Sequence, residues 1–131
     1  MIKIPKAIRH KIATLAGQEP NLETCGYLAG KDNEVKEIYP MRNLDRSSEH
    51  FRFDPEEQFA ALDRARKEDM DLIAVFHSHP ATPARMSEED ILWANDPGIF
   101  YLIYSLATEE LRAFRVDDEK LVKEVPVVLI P

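Results

Sequence analysis

The sequence predicts a layered α/β domain whose sheet is covered by helices on both faces, and two observations carry that expectation. Leu72-Ile73-Ala74-Val75-Phe76 is an unbroken apolar run of strand length, as suits a strand buried on both sides. Helix-like and strand-like segments are interspersed before and after it. At 131 residues and 44% hydrophobic, the chain can bury one real core, so a single domain over residues 1–131 is expected.

Pro5 can open a helix, and Ile8, Ile12 and Leu15 recur at helical spacing before Gly17, which predicts an amphipathic helix over 5–16. Residues 25–30 and 35–43 are strand candidates around the turn-like Lys31-Asp32-Asn33, together a hairpin. His50 to Phe53 reads as a further short strand. Asp54-Pro55-Glu56-Glu57 then combines a cap, a first-turn proline and early acids, so a helix is expected over 55–68.

The central apolar run stops at His77-Ser78-His79-Pro80. After a proline-containing loop, Ser87-Glu88-Glu89-Asp90 resembles a capped helix start, with Ile91, Leu92 and Trp93 as its apolar residues and Asp96-Pro97-Gly98 as its end. Residues 99–106 and 110–116 read as strands around Ala107-Thr108-Glu109, and a last strand is expected near 121–130. Within it, Val125–Ile130 reads as internal in preference to an edge used for homodimerisation. Tyr27, Phe76, Trp93 and Phe100 are expected in the core.

A formal charge of −7, from 17 basic and 24 acidic side chains, argues against a general nucleic-acid or anionic-membrane surface. Cys25 is the single cysteine, which excludes an intramolecular disulfide and a cysteine-built zinc cage. The N-terminal stretch lacks the unbroken apolar segment of a signal peptide or membrane span, so a cytoplasmic protein is expected.

Alternate side chains of a strand share a face, so His77 and His79 can converge on one point from the end of the buried strand. Asp90 lies three positions after Ser87 in the first turn of the next helix, which could sit above that strand end. Two histidines and a carboxylate leave zinc one tetrahedral position for water, which describes a catalytic site better than a structural one. Glu23 is the candidate general base. Ser87 could donate to a developing oxyanion or cap its own helix. His10 and His50 lie in charged surroundings and read as solvated.

The set Glu23-Thr24-Cys25-Gly26, His77-Ser78-His79-Pro80 and Ser87-x-x-Asp90 resembles the JAMM metalloprotease motif of the MPN domain family. That motif places an upstream glutamate before His-Ser/Thr-His, seven residues and Ser-x-x-Asp, and residues 80–86 supply the seven. Asn43 and Phe51-Arg52-Phe53-Asp54-Pro55 extend the likeness over nearly the whole chain. The resemblance implies an MPN fold, a cytidine-deaminase-like three-layer arrangement around a mixed sheet. It implies one zinc on His77, His79 and Asp90, Glu23 as acid and base, and Ser87 at the oxyanion. It further implies hydrolysis of amide bonds at the Gly-Gly tail of a ubiquitin-like or sulfur-carrier protein. Such a tail could add to a sheet edge near Arg46–Arg52 or Ala81–Met86.

Two rival expectations remain at this level. Cys25 could be a nucleophile with a histidine base. Alternatively, the chain could be a metal-free scaffold or binding module of the same fold.

Overall fold

The computed structural model describes residues 1–131. Its elements in chain order are β1 (Ile2–Pro5), α1 (Lys6–Gln18), β2 (Cys25–Lys31), β3 (Glu34–Met41), α2 (Pro55–Lys67), β4 (Asp71–His79), α3 (Glu88–Trp93), β5 (Phe100–Ser105), β6 (Leu111–Val116), β7 (Val122–Val125) and β8 (Val127–Ile130). The strands form one mixed sheet in the order β7-β6-β5-β4-β2-β3-β1-β8.

The apolar run becomes the middle of β4, flanked by antiparallel β2 and parallel β5. Its residues from Ile73 to His79 are all buried, so the strand continues through both histidines instead of ending before them. The expected hairpin is β2–β3, and Asp32 takes a positive φ of 53° in its turn.

Successive residues of β2 face opposite layers. Leu28 joins Ile8 and Ile12 of α1, together with Ile2, Ile4, Phe76 and Leu102. Ala29 instead packs with Tyr39, Met70 and the α2 residues Ala61 and Ala65. Helices therefore cover both faces, as the two-sided burial of β4 requires.

Several local expectations change. The first strand, β1, was not anticipated, because Ile2 and Ile4 alternate over too short a span to show periodicity; both are fully buried. Helix α1 consequently starts at Lys6, with Pro5 at its N-cap. His50–Phe53 is not a strand. The Asn43 side chain organises that segment, donating to the carbonyls of Glu23, Ser47 and His50 and accepting from the Asp45 and Arg52 N–H groups. Helix α3 buries none of its residues, and Leu92 and Trp93 are exposed.

The expected strand over 121–130 is broken at Pro126, which has no N–H to give a ladder. Its halves lie on opposite edges of the sheet, so Val127–Ile130 is an edge and not an internal strand. With one residue between β7 and β8, the sheet must curl until its edges approach each other. Pro126 also accepts the Ile2 N–H at 3.0 Å, which joins the turn to β1.

Candidate metal centre

His77 and His79 lie on one face of β4 and Ser78 on the other. Their Nε2 atoms are 3.1 Å apart, and the Asp90 carboxylate meets both, Oδ1 at 3.2 Å from His77 and Oδ2 at 3.0 Å from His79. Tetrahedral coordination with bonds of about 2.0–2.1 Å separates ligand atoms by about 3.3 Å, so these three side chains have the spacing of a preformed zinc half-shell. Glu23 completes the cluster, with one oxygen within 4.8 Å of both imidazoles.

Each member is held by its own backbone context. The His79 Nδ1 lies 2.9 Å from the Pro83 carbonyl, which can only accept, so Nδ1 carries a proton and Nε2 is the ring nitrogen directed at the cluster. The Pro83 loop is itself fixed, because the Ser105 hydroxyl donates to the Thr82 carbonyl at 2.7 Å and Ala84 is buried against Ile103 and Phe114.

Asp90 is fixed by a reciprocal cap. The Ser87 hydroxyl accepts the Asp90 N–H, and the Ser87 N–H donates to Asp90 Oδ2, each at 3.0 Å. Ser87 is thus a helix cap, yet its hydroxyl proton is still available to donate.

Glu23 precedes β2. Its N–H donates to Ser47 at 2.7 Å, and its carbonyl accepts from Asn43 at 3.1 Å. Its side chain is buried, and Oε1 has no hydrogen-bond partner. An unpartnered buried carboxylate oxygen is costly unless a proton or cation offsets it.

The electrostatics show the same deficit of positive charge. Burial, reinforced by Asp90, pushes the Glu23 carboxyl up to about 8. Burial works against a charged His79, but its bonds to Asp90 and Pro83 outweigh that effect and raise its affinity for a proton. Burial also works against a charged Asp90, but hydrogen bonds from His77 and His79 and from Ser87 hold it well below the usual carboxylate range. Two buried carboxylates facing two imidazole nitrogens form a donor set that a divalent cation fits.

A groove of about 1010 Å³ leads to this cluster. The 44–53 segment lines one side, α3 contributes Glu89 and Trp93, and Val75 and Tyr101 belong to its lining. The Phe51 ring packs on His77 at 4.8 Å, and Phe53 packs on Tyr27 at 4.9 Å. Of the 81–86 loop only Met86 reaches the groove, whereas His50, Phe51 and Arg52 all do.

Phe76, Phe100 and His10 lie where the sequence places them, and other expected placements change. Phe76 and Phe100 are core, but Tyr27 is a half-buried groove residue and Trp93 is 69% exposed beside the groove. His10 is exposed, while His50 is paired with Asp45 at 3.0 Å and faces the groove. Cys25 is fully buried, its thiol directed to the Met41 carbonyl at 3.7 Å and pushed up to about 12 by burial and by Glu23. A thiol so protonated is no nucleophile at neutral pH.

Ser78, the middle residue of His77-Ser78-His79, has a structural task that the motif does not reveal. Its hydroxyl accepts the Thr24 N–H at 2.8 Å, tying β4 to the residue beside Glu23.

A curled mixed sheet between helices, with two imidazoles and two carboxylates gathered at the end of its central strand, defines a metallohydrolase-type α/β domain. The sequence profile described as "Prokaryotic homologs of the JAB domain" matches residues 5–117. The chain is 32% identical to a desampylase of Pyrococcus furiosus over 83% of its own length and 77% of that protein's. It is also 32% identical to a CysO-cysteine peptidase of Mycobacterium tuberculosis, over 78% of the chain and 73% of the relative. The solution structure of protein DSY2949 from Desulfitobacterium hafniense superposes with a TM-score of 0.89 at 39% identity, covering 99% of this chain and 93% of that one. The chain belongs to the family of prokaryotic homologues of the JAB domain.

Proposed function

We propose that this chain is a zinc-dependent JAMM-type metallopeptidase that cleaves the amide bond following the Gly-Gly tail of a ubiquitin-like or sulfur-carrier protein in the cytoplasm. The observation that carries the proposal is the convergence of His77, His79 and Asp90 at 3.0–3.2 Å beside a buried Glu23 with a free oxygen. The named activities of the desampylase and the CysO-cysteine peptidase support the substrate class.

His77, His79 and Asp90 would hold the metal. When bound there, zinc supplies Lewis-acid polarisation of a carbonyl and acidification of water. Glu23 Oε1, free of any other partner, accepts a proton from the attacking water and returns it to the leaving amine. Ser87 keeps its hydroxyl proton for the oxyanion while its oxygen caps α3. The groove receives the tail in extended form, and glycines bring no side chain to its buried end at His77.

A scaffold without metal has no use for this cluster, whose buried carboxylates would be compensated only by protons kept on Glu23 and His79. The test is a carrier protein extended beyond its Gly-Gly by a short peptide, incubated with the zinc-loaded chain and weighed by mass spectrometry. Cleavage after the second glycine by wild type and none by Glu23→Gln is the expected result. Cleavage by both would remove Glu23 from its role, and cleavage by neither would reject the substrate class.

A further inference from the structure

Helix α3 carries Asp90 but has little of its own to fix it. It spans six residues and buries none of them. An isolated helix this short is unstable in water, so its position must come from contacts at its ends. The N-terminal end has the Ser87–Asp90 cap. The C-terminal end is met by a side chain from a distant part of the chain, Lys120.

Lys120 stands in the turn between β6 and β7, and its ammonium donates to three oxygens at that end of α3. These are the Leu92 carbonyl at 3.2 Å, the Ala94 carbonyl at 2.7 Å and Asn95 Oδ1 at 2.8 Å. Three donors on one ammonium match three acceptors, and a cation is favoured where the last helical carbonyls lack partners. The turn presenting it is braced as well. Asp117 Oδ1 accepts the N–H groups of Glu119 and Leu121, each at 2.9 Å, and the Asp117 carbonyl accepts that of Lys120 at 3.0 Å. Lys120 holds a φ of 64°, a conformation that costs a lysine energy and that glycine adopts freely.

We infer that Lys120 is a positioning residue for the metal centre, clamping the C-terminal end of α3 so that Asp90 stays over His77 and His79 before metal arrives. The inference rests on the metal-binding reading above, and it concerns a residue outside the 5–117 span of the family profile.

The test is Lys120→Gly, which relieves the positive φ while removing the clamp, with Lys120→Met keeping the aliphatic stem and deleting only the charge. Hydrogen exchange in metal-free protein reads the clamp directly, and chelator competition reads zinc affinity. Both variants are expected to speed exchange of the Ile91 and Ala94 amides and to weaken zinc binding about tenfold, without a fall in global stability for Lys120→Gly. Unchanged exchange in both variants would overturn the inference. So would unchanged zinc affinity in variants of a wild type that binds zinc. A wild type that binds no zinc would reject the metal reading itself, leaving the exchange result to decide whether Lys120 clamps α3.

Discussion

The Ser78 hydroxyl accepts the Thr24 N–H at 2.8 Å while the Ser78 N–H donates to the Thr24 carbonyl, also at 2.8 Å. Ser78 sits between the two clustered histidines, and Thr24 adjoins Glu23. This reciprocal pair therefore fixes the distance between the proposed base and the proposed ligands from the opposite side of the strand. Ser78→Ala leaves a backbone donor unsatisfied beside a residue only 1% exposed, at a cost of about 1–3 kcal/mol. Denaturant titration should show that loss, and zinc content should persist while turnover falls.

Glu23→Gln is expected to keep zinc and lose turnover, and it also predicts a pH signature in metal-free protein. The unfolded chain releases this proton near its ordinary 4.5, whereas the folded chain holds it to about 8. Raising pH across that window therefore weakens the folded wild type through Glu23, and a glutamine escapes the penalty. In chelator, the stability advantage of Glu23→Gln should be small near pH 5 and larger at pH 8. Equal advantages at both would show that Glu23 is ordinary in the folded state.

Cys25 should resist alkylation in the native chain, since the thiol is fully buried and strongly protonated. Cys25→Ala should retain turnover. Loss of turnover in a folded, zinc-loaded Cys25→Ala protein would revive the cysteine-hydrolase alternative.

Trp93 is 69% exposed yet lines the groove, so its removal should barely affect folding, within about 0.5 kcal/mol, as for other surface positions. Trp93→Ala is expected to raise KM for a tailed carrier protein with little change in kcat, because Trp93 is not one of the groups gathered at the cluster. Steady-state kinetics on the extended carrier separate the two parameters.

The meeting of His77, His79 and Asp90 was easier to read from the sequence than the edges of the fold. His77, His79 and Asp90 were legible because strand alternation and a helix cap each fix where a side chain points, and the 2.9 Å bond from His79 to Pro83 adds only a refinement. Strand β1 and the break at Pro126 were not legible, since the partners of both are distant in sequence and their pairing is a tertiary matter. His50–Phe53 imitated a strand because Phe51 and Phe53 alternate toward the groove. Their segment is instead gathered by Asn43, whose five hydrogen bonds leave no pattern in the surrounding residues. Trp93 and Tyr27 depart from the core placement usual for large aromatic residues, and both line the groove.

Whether His77, His79 and Asp90 hold a metal is decided by elemental analysis of purified wild type and His79→Ala after exposure to zinc and dialysis without chelator. One zinc per chain is expected in the wild type and none in the variant. Failure of the wild type to retain zinc, or equal retention by His79→Ala, would contradict that assignment.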